Sequence, residues 1–179
     1  TQLAVGAIYD SGSGNVAGNS GAVYLFNNPY STPALSGIIG KGYSGGGNYD
    51  LAALDAGDGF GAAVSLSGAQ LSVGATGDGG PGNVAAYGAV YLFNNPFTTP
   101  ALSGIIGRGY SGTGNFDPGD ALKAGDQFGS AVSLSGTQLA VGAFGSDGFG
   151  GAATDSGAVY LFNTPYTTPA LSGIIGKGY

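Results

Sequence analysis

The sequence predicts an all-β fold of short sheets stacked in tandem, and three observations carry that expectation. A block of about 68 residues is written almost three times: Thr1-Gln-Leu-Ala-Val-Gly-Ala7 returns at 69–75 and 137–143, Gly21-Ala-Val-Tyr-Leu-Phe-Asn27 at 88–94 and 157–163, and Ala34-Leu-Ser-Gly-Ile-Ile-Gly40 at 101–107 and 170–176. A fixed period of this length means that each copy is one supersecondary unit stacking on its neighbours. Val, Ile, Tyr, Phe and Thr gather in short runs between Gly, Asn, Asp and Ser clusters, with 39 glycines and eight prolines in all, which is the pattern of short strands joined by tight turns. Good helix formers are scarce, and Glu is absent altogether.

Each unit divides into four strand candidates. The first is Phe60-Gly-Ala-Ala-Val-Ser-Leu-Ser-Gly68, matched by 128–136, with Val64 and Leu66 on one face and Ser65 and Ser67 on the other. A turn around Ser67-Gly68 joins it as a hairpin to the second, in which Leu3, Val5 and Ala7 share a face. The third, Ala22 to Phe26, is apolar on both faces, as expected of a strand covered on both sides. The fourth centres on Ile38-Ile39, beyond a connection where Asn28-Pro29 and Thr32-Pro33 stop the preceding ladder.

The order Phe-Gly strand, Val-Gly-Ala strand, Gly-Ala-Val-Tyr-Leu-Phe strand resembles the FG-GAP repeat, the blade of the integrin-alpha type β-propeller, in the form found in large bacterial secreted adhesins of the filamentous haemagglutinin kind. The residues that carry it are Phe60-Gly61 and Phe128-Gly129, Val73-Gly74-Ala75 and Val141-Gly142-Ala143, then 88–93 and 157–162. The resemblance implies tandem four-stranded antiparallel blades of β-propeller type and extracellular binding or structural work; a β-solenoid is the alternative with similar spacing. FG-GAP blades often carry an Asp-rich calcium loop between their first two strands. Here that place holds Leu66-Ser67-Gly68-Ala69 or Leu134-Ser135-Gly136-Thr137, so calcium does not transfer to it.

Several function classes fall away. Four cations against ten anions give a net charge of −6, the wrong balance for nucleic acid, which needs a basic footprint. No apolar run is long enough to span a bilayer, and no leader of charged then apolar residues opens the chain. Without His, Cys, Glu or Trp, and with no base beside a candidate nucleophile, an enzyme is not expected. No cofactor is expected either, apart from Ca²⁺.

Three sets of residues remain as candidate sites. Asp50, Asp55 and Asp58 in one copy, and Asp117, Asp120 and Asp126 in the next, precede the Phe-Gly strand and could offer Ca²⁺ the oxygen ligands it prefers, although such residues also stabilise turns through their own backbone. The connections 9–20, 76–87 and 144–156 vary while the strands around them barely do; their polar groups Asp10, Asp78, Asp147 and Asp155 are candidates for recognition of a glycan or protein. Tyr30, Phe97 and Tyr166 occupy one repeated place, and Tyr43, Tyr110 and Tyr179 another, where aromatics are expected to pack one repeat against the next. Thr98-Thr99-Pro100 and Thr167-Thr168-Pro169 suit O-glycans, and no N-glycosylation triplet is present.

The repeat count sets the expected role. Residues 1–43 form a first repeat without its Phe-Gly strand, 44–110 a second and 111–179 a third, about 2.75 repeats with eleven strand candidates. One sheet edge and two repeat faces are thereby left open, and such surfaces associate in water. Because the two ends are nearly the same unit, the expected contact is head to tail, between copies of the chain or with further repeats of a longer one. The expected protein is an extracellular structural component that builds a filament or surface fibre. The alternative is a calcium-assisted adhesion module working through its variable loops.

Overall fold

The computed structural model describes all residues, 1–179, and contains three four-stranded sheets. The first sheet holds β1 (Gln2–Ala7), β2 (Ala22–Asn27), β3 (Ala34–Gly40) and β4 (Tyr49–Asp50). The second holds β5 (Phe60–Ser67), β6 (Gln70–Ala75), β7 (Ala89–Asn94) and β8 (Ala101–Gly107), and the third β9 (Phe128–Ser135), β10 (Gln138–Ala143), β11 (Ala158–Asn163) and β12 (Ala170–Gly176). The second and third are antiparallel meanders in sequence order. Helix is confined to two three-residue 3-10 turns, Gly119–Ala121 and Phe149–Gly151. The chain is thus an open row of propeller-type blades.

The eleven strands expected are all present, with the two-residue hairpin loop Gly68-Ala69 and Gly68 at φ +60°. The first sheet reaches four strands by a different route. Its β1 lacks a Phe-Gly partner, and its fourth member is β4, which runs parallel to β3 through Ile39 and Tyr49. The second blade repeats this addition as a single parallel bridge between Ile106 and Phe116. Each blade also carries a bulge, where β2 passes β3, β7 passes β8 and β11 passes β12, so that Ser36, Ser103 and Ser172 face no residue across the ladder.

Two hydrophobic cores fill the spaces between sheets. In the first, Val23, Leu25 and Ile39 of blade one meet Leu71, Val73, Tyr91 and Phe93 of blade two, with Leu51, Leu54 and Phe60 sealing the gap. In the second, Val90, Leu92 and Ile106 meet Leu139, Val141, Tyr160 and Phe162, sealed by Leu122 and Phe128. Alternation along β7 sends Val90 and Leu92 to one core and Tyr91 and Phe93 to the other, which is why this strand has no polar face. The Phe residue of each Phe-Gly strand packs edge-on against the Tyr of its own blade, Phe60 on Tyr91 at 5.4 Å and Phe128 on Tyr160 at 5.2 Å.

Candidate functional site

The joint between blades is the most repeated piece of chemistry in the chain. At the first joint the backbone of Phe60-Gly61 lies against Gly6 and Gly21; at the second, Phe128-Gly129 lies against Gly74 and Gly88. A Cβ on Gly6 would overlap the Gly61 carbonyl, and one on Gly74 the Gly129 carbonyl, so only glycine permits this approach. The Phe60 N–H donates to the Ser20 carbonyl at 2.9 Å and the Phe128 N–H to that of Tyr87 at 3.1 Å. Side chains add to the joint from both edges. Ser65 and Ser67 Oγ accept from the N–H groups of Leu134 and Gly136 at 3.0 and 3.2 Å. The bulge hydroxyls of Ser36 and Ser103 donate to the carbonyls of Phe97 and Tyr166, each at 3.2 Å.

The aromatic candidates therefore divide. Phe97 and Tyr166 sit at the two joints and pack against the two cores, while Tyr30, at the equivalent place in the first blade, is 86% exposed. Tyr110 also packs against the first core, and its hydroxyl, like that of Tyr43, bonds within its own blade. Asp10 accepts from the hydroxyls of Tyr24 and Tyr43 and from the Gly12 N–H, and Asp78 does the same with Tyr91, Tyr110 and Gly80, with bonds of 2.6 to 3.1 Å. Burial pushes the Tyr91 and Tyr110 hydroxyls up in pKa, and the Asp78 charge adds to it, so both remain donors. These two carboxylates lock their loops onto the sheet.

The third blade departs from this scheme because Ser146 stands where the others have Asp. The Gly148 N–H reaches the Ser146 Oγ only at 3.4 Å, and the Tyr160 hydroxyl turns to the Ala121 carbonyl at 2.6 Å. Tyr179 is left to pack edge-on against Phe149 at 6.0 Å. A cavity of ≈ 630 Å³ opens there, lined by Asp126, Asp147, Phe149, Ile174 and Tyr179 among others. Of the four variable-loop carboxylates only Asp147 lines it; Asp147 also accepts the Asp155 N–H at 2.9 Å.

The carboxylates before the Phe-Gly strands bond to nearby groups. Asp50 accepts the Gly42 N–H, Asp117 the Gly119 N–H, Asp58 the Asp55 N–H and Asp126 the Lys123 N–H, all at 2.7 to 2.8 Å. Asp120 pairs with Arg108 at 2.8 Å, and that bond lowers its pKa. Burial raises the Asp126 carboxyl and pushes Asp58 up to about 6, against the pull of the Asp55 N–H. No three of these residues form a group that could hold a metal ion. Nor do the hairpin turns at Gly68-Ala69 and Gly136-Thr137 fit a calcium loop, since they offer no carboxylate.

The family model of the FG-GAP repeat matches residues 118–162, which span the Phe-Gly strand and the two strands after it. The second blade carries the same strands in the same order, and the first carries them without the Phe-Gly strand. No curated protein matches the chain. No helix is long and apolar enough to cross a membrane.

Proposed function

We propose that this chain is an extracellular structural repeat protein whose blade joints propagate head to tail into a filament or surface fibre. One observation carries the reading: the two end faces expose side chains that the two existing joints bury, on a first blade that lacks only the Phe-Gly strand of those joints. On the face of the third blade, Val159 and Ile175 are 38% and 63% exposed, whereas their counterparts Val90 and Ile106 are fully buried. On the opposite face of the first blade, Val5 is 42% exposed where Val73 and Val141 are buried, and Tyr24 and Phe26 are half-buried. The exposed Ser172 and Tyr30 are the unpaired equivalents of Ser36 with Phe97 and Ser103 with Tyr166.

Covering a side chain of this kind contributes about 1.5–3 kcal/mol, and association costs roughly 4–15 kcal/mol. A handful of such residues on each face brings the two into balance, so assembly depends on concentration. Because the two faces differ, the contact is heterologous and repeats along a ring or a filament. The match of residues 118–162 to the FG-GAP repeat supports extracellular placement. Sedimentation velocity of the purified chain across a concentration series, with electron microscopy of the largest species, tests the reading. Growing oligomers that Ile175→Asp abolishes are expected, and a monomer at every concentration overturns it.

The cavity at the third blade favours a second reading, adhesion to a glycan. Phe149 and Tyr179 give it an aromatic wall and Asp126 and Asp147 give it hydrogen-bond acceptors. Glycan-array binding that Phe149→Ala removes, in a chain that stays monomeric, decides for that reading.

A further inference from the structure

We infer that the cavity at the third blade holds the carboxylate of an acidic sugar, in the place that the Asp10 and Asp78 carboxylates fill in the first two blades. The inference deepens the glycan reading of that cavity and rests on it for the sugar.

One donor set is written three times, and two of the copies hold a carboxylate. In those two blades the N–H of a glycine two residues beyond the Asp donates to it at 2.7 Å. Two tyrosine hydroxyls close on the same carboxylate, Tyr24 and Tyr43 on Asp10 at 2.7 and 3.1 Å, Tyr91 and Tyr110 on Asp78 at 2.6 and 3.0 Å. The third blade keeps these donors as Gly148, Tyr160 and Tyr179 but replaces the acceptor by Ser146, which is shorter and uncharged. The Gly148 N–H therefore meets the Ser146 Oγ only at 3.4 Å, and Tyr160 donates to the Ala121 carbonyl. Ser146, Gly148 and Tyr179 all line the cavity. A carboxylate entering there reaches donors that Asp78 satisfies from within its own blade, and charge-assisted bonds of this kind are the strong ones.

The lining accommodates the added charge. Asp126, which lines the cavity, is the counterpart of Asp58, and in the first joint Asp58 already shares its surroundings with the Asp78 carboxylate. Burial, with the Asp78 charge adding to it, pushes Asp58 up to about 6. Burial and the Asp147 charge raise Asp126 in the same direction, so this group takes up a proton as the ligand's carboxylate arrives. Lys123 stands on the same lining and adds a cation. The rest of the cavity selects a sugar. Phe149 and Tyr179, both exposed, meet edge-on at 6.0 Å and form an apolar wall for a pyranose face. At ≈ 630 Å³ the space lies in the range of small-molecule sites. An acidic side chain of a peptide reaches the same donors but has no ring to lay on that wall.

Titration of the isotope-labelled full chain with methyl glucuronide at mildly acid pH, followed by amide NMR, tests this. Saturable shifts centred on Ser146, Gly148 and Tyr179 are expected. Methyl glucoside, the same ring with a hydroxymethyl group in place of the carboxylate, is expected to bind tenfold more weakly or worse. Ser146→Asp restores the residue of the first two blades and so keeps the fold; it is expected to abolish glucuronide binding by occupying the donors itself, and Tyr179→Phe to weaken it severalfold. No saturable shift up to tens of millimolar glucuronide overturns the inference. So does equal affinity for the glucoside, or a Ser146→Asp chain that binds as the unchanged one does. An acetylated, amidated aspartate that binds more tightly than the glucuronide also overturns it and gives the site to an acidic peptide. Retention of neutral sugars on the glycan array without preference for the glucuronide leaves the glycan reading standing and removes only the carboxylate; glucuronide binding by a chain that retains nothing on the array does the reverse.

Discussion

Tyr166 and Phe97 occupy the same place at successive joints, yet only Tyr166 carries a hydroxyl, and that oxygen is buried without a hydrogen-bond partner. An unsatisfied buried hydroxyl costs about 1–3 kcal/mol, and burial raises its pKa, which keeps it neutral. Tyr166→Phe is therefore expected to raise the unfolding free energy by about 1 kcal/mol, read as a higher urea midpoint at unchanged slope. A lower midpoint would mean that the hydroxyl has a partner. Asp58 poses a charge problem of the same kind. Its carboxyl is held near 6 by burial against an ordinary value of 3.8. The folded state thus binds a proton more readily than the unfolded chain, so this group's contribution is fully present below pH 3.8 and is lost as pH rises through about 6. Stability is expected to increase as pH falls from 7 towards 5. In Asp58→Asn, which keeps an acceptor for the Asp55 N–H, that increase shrinks; an unchanged profile would place the titration elsewhere. Asp126 shifts in the same direction, so a remnant persists.

At the scale of the strand, the Val-Gly-Ala motif looks uniform in the sequence and is not uniform in use. Gly74 lies against the Gly129 carbonyl, whereas at Gly142 the tightest contact of a Cβ would be the Ala131 side chain at 3.2 Å, with Ala131 N and Ser130 Oγ at an ordinary 3.5 Å. Gly74→Ala must push two sheets apart and is expected to cost about 3 kcal/mol or more. Gly142→Ala is expected to cost about 1 kcal/mol or less, since a single methyl contact can relax. Chemical denaturation of the two variants side by side checks the contrast, and equal losses would mean that the glycines serve the strand and not the joint. The same scale shows what alternation could reveal. Strands β5 to β7 were legible because period-two patterning and the repeat reinforce each other. The parallel pairing of β4 was not, because two residues carry no periodicity and the pairing crosses a glycine-rich loop. Its support lies in Asn48, whose side-chain oxygen accepts the Ile38 N–H at 2.8 Å, as Asn115 accepts that of Ile105. An Asn-aromatic pair at one spacing after the first two Ile-Ile strands was the available signal.

For the whole molecule, stability resides between sheets and not within them. The second blade is covered on both faces, whereas each outer blade has one open face. In such a stack, each unit's protection reflects the neighbours it touches. Native-state hydrogen exchange is expected to be slowest in β6 and β7 and more than tenfold faster in β1 and β12; uniform protection would indicate one cooperative unit. Addition of copies to the ends should slow exchange in the outer blades first.

By itself, the sequence determined the all-β class and the order of the eleven repeat-borne strands, because strand pattern and repetition are local properties that survive without coordinates. It also exposed the Phe-Gly and Val-Gly-Ala motifs as separate signals. Only the tertiary structure decided that they are two sides of one contact, that Asp10 and Asp78 hold tyrosine hydroxyls, and that Ser146 in their place opens a cavity. Those facts depend on which blade lies across the gap. A glycine's meaning is set by the backbone that approaches it, and in this chain that backbone belongs to the next repeat.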